Sequence, residues 1–240
     1  MESDSRWAAI YLLLLPLTCC GAPSGSAMSE AEAINEMRLS ATVVSIRELT
    51  HRVSREAKKE FDKGCALFHK GDAGSALAHF QKAAESDPQL AGAFNGVGVA
   101  EMGLGRFREA AGEFQHALEL VPDNVLALAN LSIVLYELKE YDRAVVVSRQ
   151  AIRFNPLLSS IRYILALSLM KRGSDRGDEL QQLQRVASDL PKAHLLAAKI
   201  LAELGKRDDA VQHIGKYLGS FPADGSERQQ LEDWVEELQR

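Results

Sequence analysis

Proline recurs along this chain at a fixed interval. Pro88, Pro122 and Pro156 stand 34 residues apart, and Pro222 follows 66 residues after the third. A period of about 20 to 50 residues predicts an array of stacked units that share one supersecondary structure. With each proline at position 32 of its unit, the chain divides into the ranges 57–90, 91–124, 125–158, 159–190 and 191–224, of which the fourth is two residues short.

Equivalent positions of these units carry side chains of similar size. Position 8 is small in all five units: Gly64, Gly98, Ser132, Ala166 and Ala198. Position 20 is alanine in four units, and position 24 is phenylalanine in the first two, as Phe80 and Phe114. In four units a glycine stands between the first and second half of the unit, at Gly71, Gly105, Gly173 and Gly205. Small residues let paired helices approach closely, and glycine ends a helix in the left-handed region at low cost. The pattern predicts helix–turn–helix units.

Period and residue pattern together resemble the tetratricopeptide-repeat (TPR) family. The resemblance implies an all-α fold, a right-handed α-solenoid of about five helix–turn–helix units. Residues 225–240 are predicted to form a C-terminal capping helix, because Leu231, Trp234, Val235 and Leu238 fall on one helical face. The fourth unit lacks the alanine at position 20, so we expect its second helix to be short or kinked.

The resemblance also implies a binding surface. In TPR proteins the first helix of each unit lines a concave groove, where side chains bind a peptide or a helix of a partner protein. The positions that match are Phe61, Phe68, Asn95, Val99, Met102, Asn130, Ile133, Tyr136, Tyr163 and Met170. Apolar anchors of this kind supply affinity, and Asn95 and Asn130 are expected to hydrogen-bond the backbone of the ligand. The clamp that some TPR domains use for a C-terminal carboxylate is absent, because its positions hold Phe61, Cys65, Leu126 and Asn130.

The N-terminal region differs from the array. Residues 1–27 contain the uncharged run WAAIYLLLLPL, which is too short to span a bilayer and has the length of a signal-peptide core. The cysteines after it resemble the end of a bacterial lipoprotein signal, which makes Cys20 or Cys19 a candidate for lipidation. The alternative is translation from Met28 and a cytoplasmic product. Residues 28–56 are predicted to form an arm, partly extended at ATVVSIREL (41–49), that packs over the first helix or lies in the groove.

Charge and motifs narrow the function. A net charge of −5 argues against nucleic acid as a partner. No catalytic or phosphate-binding motif occurs and the six histidines show no metal-binding spacing, so we expect neither enzyme activity nor a cofactor, metal or small-molecule substrate. Other proteins are the expected partners. Two hypotheses remain open: an exported, lipid-anchored adaptor in a bacterial envelope assembly, and a cytoplasmic regulatory subunit of an enzyme complex.

Overall fold

A computed structural model describes residues 52–156, 158–173, 176–186, 190, 192–220 and 225–239. Within these ranges every regular element is a helix, which confirms the all-α prediction. The helices are α1 Arg55–His69, α2 Ala73–Ser86, α3 Ala91–Gly103, α4 Phe107–Leu120, α5 Val125–Glu137, α6 Tyr141–Phe154, α7 Ser159–Arg172, α8 Arg176–Val186, α9 Lys192–Glu203, α10 Arg207–Ser220 and α11 Gly225–Gln239. The predicted leader (1–27), Cys19, Cys20 and most of the predicted arm lie outside the described residues.

Three helices begin at a capping side chain. Helix α1 starts at Arg55, where the Ser54 hydroxyl accepts a hydrogen bond from the Ala57 amide at 3.0 Å. Asp72 and Asn124 cap α2 and α5 in the same way. Such a cap satisfies one of the amides that the first turn of a helix leaves without a partner, and it stabilises the helix by about 1 kcal/mol.

The turns within the helix pairs follow the predicted glycines. Gly71, Gly105, Gly173 and Gly205 all have φ between 73° and 84°, the left-handed region that glycine enters without strain. The third pair has no glycine at this position, and Lys139 takes the same conformation at φ 63°. The turn geometry is therefore common to the pairs even where the residue is not.

Two rows of helices form the first part of the array. Phe80 of α2 lies between α1 and α3: a Cβ added at Gly64 or Gly96 would stand within 2.7 Å of its ring. Phe114 of α4 has the same relation to Gly98. Both rings are completely buried, and burying a phenylalanine side chain stabilises the fold by roughly 1.5–3 kcal/mol. The pairing of large and small positions predicted from the sequence is confirmed.

The chain divides into two compact units, residues 1–161 and 162–240. In the second unit the described part of α8 is Arg176–Val186, and the short or kinked second helix of the fourth repeat stays a prediction. The buried residues Ala198, Leu201, Ala210 and Ile214 form a cluster against which Leu231, Trp234, Val235 and Leu238 of α11 pack, which confirms the capping helix. The count of five units stays a prediction.

Candidate functional site

Side chains from three first helices form the candidate surface in the first unit. We call it the A-helix face and define it by eight of the predicted residues: Phe61 and Phe68 on α1, Asn95, Val99 and Met102 on α3, and Asn130, Ile133 and Tyr136 on α5. On α3 these residues are spaced i, i+4 and i+7, which puts them on one side of the helix. Eight of the ten predicted residues therefore lie on three first helices of the first unit.

The other two predicted residues belong to the second unit. Tyr163 and Met170 of α7 are partly buried and pack against the cluster Ala166, Leu183, Ala193, Ala197 and Ile200. Burial raises the pKa of the Tyr163 phenol, as expected for a hydroxyl held in apolar surroundings. In the part of the chain that the structure describes, these two side chains therefore contribute to the core of their own unit.

The A-helix face is more buried than a bare binding surface. Val99 and Ile133 are each 1% exposed, and all residues of α3 from Asn95 to Met102 are buried. Residues Ala127 to Leu135 of α5 are likewise buried without interruption. Helix α2 differs, because only Ala76, Leu77, Phe80 and Ala83 are buried along its 14 residues. The middle turns of α3 and α5 are therefore buried around their whole circumference, and the second-row helix keeps an outer face in solvent.

A hydrogen bond between two side-chain amides crosses the A-helix face. Nδ2 of Asn130 donates to Oδ1 of Asn95 at 3.0 Å, and both residues are buried. A buried hydrogen bond of this kind contributes about 1 kcal/mol net, and leaving either amide without a partner costs more. This bond does not use the NH₂ of Asn95, which carries two donor hydrogens, or the carbonyl of Asn130, which carries two acceptor lone pairs.

Aromatic rings stand at both edges of the A-helix face. The ring of Phe61 lies 5.6 Å from that of Phe80, centroid to centroid, at an interplanar angle of 55°. At the opposite edge, Tyr136 lies 5.7 Å from Tyr141 at the start of α6. Phe61 and Tyr136 are both only partly buried. Their rings are supported from behind and retain exposed surface, as anchors for a ligand require.

A buried carboxyl close to the A-helix face was missed by sequence reasoning. Glu101 of α3 is 9% exposed, and its Oε2 has no hydrogen-bond partner. Desolvation raises the pKa of Glu101 to about 7, with Glu113 and Glu109 adding to the rise and Arg106 opposing it. The available signal was its position, because the equivalent residues Leu67, Leu135, Leu169 and Leu201 are all leucine.

A pair of histidines joins two helices of the second unit. Nδ1 of His194 on α9 lies 3.1 Å from Nδ1 of His213 on α10, and His213 is 9% exposed. Desolvation lowers the pKa of both imidazoles, and Lys216 lowers both further. The residues occupy positions 4 and 23 of their unit, the same positions as Glu60 and His79, which are in contact at 2.7 Å in the first unit. This recurrence was the missed signal.

No group of three or more His, Cys, Asp or Glu side chains is placed to hold a metal ion in the described ranges. None of the helices described is both long enough and apolar enough to cross a membrane.

Comparisons with known proteins agree with this architecture. Models of the tetratricopeptide repeat match residues 61–90 and 96–157. Anaphase-promoting complex subunit 3 of Schizosaccharomyces pombe (strain 972 / ATCC 24843) is 27% identical over 137 residues, which are 56% of this chain and 21% of that protein. The chain therefore spans about a fifth of that relative.

Solved structures show the same fold at low sequence identity. MamA (41-end) of Desulfovibrio magneticus RS-1 gives a TM-score of 0.64 at 19% identity, covering 70% of this chain and 96% of that one. Pseudomonas aeruginosa PilF gives 0.65 at 18% identity, with coverage of 76% and 88%. YrrB, described as a TPR protein with an unusual peptide-binding site, gives 0.62 at 22% identity, with coverage of 74% and 92%.

Proposed function

Because this chain belongs to the tetratricopeptide-repeat family, we propose that it is a non-catalytic scaffold whose A-helix face binds an apolar peptide or helix of another protein. The fold itself implies a role in protein–protein interaction. The observation that carries the finer proposal is the composition of the face, which is apolar with one amide pair near its centre. Apolar side chains supply the affinity for a peptide, and the two amides match the donors and acceptors of its backbone.

We expect the partly exposed rings of Phe61 and Tyr136 to contribute most of the binding free energy. Phe61 and Tyr136 stand on α1 and α5, on either side of the buried centre. Because neighbouring packed helices lie about 8–10 Å apart, a ligand that contacts both rings spans about 20 Å. That length corresponds to about six residues of extended chain. The proposed ligand is therefore a short apolar segment and not a single side chain.

A peptide-binding experiment tests the proposal. Peptides selected from a random library on the full chain are labelled with fluorescein, and their affinity is measured by fluorescence anisotropy. We expect Phe61→Ala/Tyr136→Ala to weaken binding at least tenfold, which corresponds to about 1.4 kcal/mol. Val146→Ala is the matched control, because Val146 is an apolar side chain on α6 that is 65% exposed and lies outside the A-helix face.

Two results would contradict the proposal. One is equal affinity for the wild type and the double variant. The other is an equal loss of peptide affinity in Val146→Ala, which would mean that the peptide binds elsewhere on the unit. The melting temperature of each variant, followed by circular dichroism, separates lost binding from lost structure.

The proposal extends to cellular location. We assign the chain to a bacterial envelope assembly, exported through its leader and anchored by lipid on Cys20 or Cys19, because the uncharged run in residues 1–27 has the length of a signal-peptide core. The alternative is a cytoplasmic subunit that regulates an enzyme complex, and the similarity to anaphase-promoting complex subunit 3 favours it. Fractionation of cells that express the full chain distinguishes them, since membrane association that survives in Cys19→Ala/Cys20→Ala contradicts lipidation.

A further inference from the structure

Two imidazole nitrogens face each other where α9 packs against α10. Nδ1 of His194 lies 3.1 Å from Nδ1 of His213, and the ring centroids are 5.0 Å apart at an interplanar angle of 67°. His213 is buried, whereas His194 is partly buried and retains exposed surface. The two nitrogens are therefore close together, and solvent reaches the pair at the His194 ring.

The repeat pattern does not require a histidine pair at these positions. The equivalent residues are Glu60 and His79 in the first repeat, and Leu128 and Val147 in the third. In the first repeat Nδ1 of His79 lies 2.7 Å from Oε2 of Glu60, so a carboxylate already occupies that ring nitrogen. In the last repeat both groups are imidazoles, and imidazole nitrogen is the commonest metal ligand in proteins.

The distance between the two nitrogens suits a shared metal ion. Imidazole nitrogen binds a divalent transition metal at about 2.0–2.1 Å. Two such bonds at an angle of about 90–110° place the nitrogens roughly 2.9–3.4 Å apart, and the observed 3.1 Å lies within this range. Each ring must turn until its lone pair points at the ion, and the broad χ2 torsion of histidine allows that rotation.

We propose that His194 and His213 bind a divalent transition-metal ion of the class that imidazole prefers, namely Cu²⁺, Ni²⁺ or Zn²⁺, and that the ion joins α9 to α10. No third His, Cys, Asp or Glu of the described ranges is placed to join them, so water completes the coordination. The sequence gave no sign of such a site, because the two histidines are 19 residues apart and meet only when the helices pair. The site is independent of the proposed peptide binding.

The protonation state of the pair favours metal binding. Desolvation lowers the pKa of both rings, so the folded state favours the neutral imidazoles that a metal ion requires. In the neutral pair one Nδ1–H donates to the other Nδ1. When the ion binds, that Nδ1–H bond breaks and an Nε2–H bond forms on the same ring. This is a change of tautomer, and it releases no net proton.

Two charged side chains of α10 act on the site in opposite directions. Lys216 lowers the pKa of both imidazoles, and Asp209 raises the pKa of His213. The Lys216 ammonium therefore repels a bound cation, and the Asp209 carboxylate attracts it. Both side chains are exposed, so water and salt weaken both effects. Removal of the Lys216 charge should accordingly strengthen metal binding.

Calorimetric titration of the full chain with NiCl₂ at pH 7.5 tests the inference, on protein made without a histidine tag. We expect His194→Gln and His213→Gln each to weaken Ni²⁺ binding at this site at least tenfold, because one imidazole then holds the ion alone. His79→Gln is the matched control, since it removes the equivalent histidine of the first repeat, and it should change the affinity less than twofold. Lys216→Gln should raise the affinity about twofold or more.

Three results would overturn the inference. One is Ni²⁺ affinity that is unchanged in both glutamine variants, and another is an equal loss in His79→Gln. The third is displacement of Ni²⁺ by the same concentration of Mg²⁺, which prefers oxygen ligands. Circular dichroism shows whether each variant is folded. If the glutamine variants unfold, Lys216→Gln decides the matter, because it keeps both ligands: tighter Ni²⁺ binding supports the site, and unchanged binding overturns it.

Discussion

At the scale of single residues, two phenylalanines set the distance between the helix rows. Phe80 and Phe114 are fully buried, and the glycines facing them leave no room for a methyl group. A Cβ at Gly98 would stand 2.7 Å from the Phe114 ring, closer than van der Waals contact allows. The ring has no solvent-side space into which to move. Packing here therefore requires glycine for its size, although glycine inside a helix is intrinsically unfavourable.

We expect Gly98→Ala to destabilise the first unit by about 1–3 kcal/mol, the usual range for an overpacked core. Gly112→Ala is the matched control, because Gly112 is also inside a helix but a Cβ there meets nothing within 4 Å. It should stabilise the protein by about 0.5–1 kcal/mol, since alanine is the better helix former. Urea unfolding monitored by circular dichroism measures both. Equal effects of the two substitutions would show that helix propensity outweighs packing at Gly98.

Glu101 places a carboxyl where the other units have leucine. Its pKa of about 7 lies above the value of 4.5 for an exposed glutamate, so the folded state binds a proton that the unfolded state has released. The stability it contributes is complete below pH 4.5 and is lost as the pH rises through 7.

We therefore expect Glu101→Leu to stabilise the protein by about 2 kcal/mol at pH 8 and by much less at pH 4.5. Chemical denaturation at the two pH values measures the difference. Glu119→Leu, at an exposed position of α4, serves as the control and should change stability by less than about 0.5 kcal/mol. If Glu101→Leu raises the free energy of unfolding equally at both pH values, the gain comes from packing and not from removal of the charge.

At the scale of elements, the contact between α9 and α10 contains the two imidazoles His194 and His213. Desolvation is the main cause that lowers both pKa values below 6.5. Lys216 lowers the pKa of His194 further, and the pKa of His213 is lowered further by His194 and Lys216 and raised by Asp209. The neutral forms are thus favoured in the folded state, and one ring donates to the other at 3.1 Å. The resulting stability is complete above pH 6.5 and is lost as the pH falls below that value.

Acidification from pH 7.5 to 5.5 should accordingly lower the melting temperature of the wild type more than that of His213→Gln, by several degrees. The comparison between proteins is necessary because Glu101 acts in the opposite direction over the same range. His69→Gln, at an exposed position of α1, should behave as the wild type does. A wild-type shift no larger than that of His213→Gln would show that the two rings are not both neutral in the folded state.

Helix boundaries illustrate what an element's own sequence determines. Turn glycines and the spacing of small residues predicted where the pairs fold back, because these features act within a few residues of the turn. Helix α1 begins two residues before position 1 of its unit, because its Ser54 cap lies outside the repeat pattern. Lys139 shows where the local sequence is not enough to predict the backbone. Lysine does not favour the left-handed conformation, and Lys139 adopts it because the two helices that it joins require it.

At the scale of the whole molecule, the fold was predictable from the sequence and the burial of individual side chains was not. Repeat spacing determines which residues share a helix face, and eight of the ten predicted residues lie on the first helices of the first unit. Val99 and Ile133 are each 1% exposed, and a periodic pattern does not predict burial to that degree. Tyr163 and Met170 were assigned to the same groove because the period continues through them, yet they pack into the core of the second unit.

The bond between Asn95 and Asn130 has a consequence for modularity. Arrays of equal repeats gain and lose units by duplication or deletion, since each unit contacts only its neighbours. Removing residues 91–124 would keep the period intact and set Asn130 beside the helix that carries Phe61, whose ring offers no amide in exchange. A buried amide without its partner costs about 1–3 kcal/mol. The second unit (91–124) and the third unit (125–158) should therefore be duplicated, deleted or exchanged together, both in evolution and in designed chimeras.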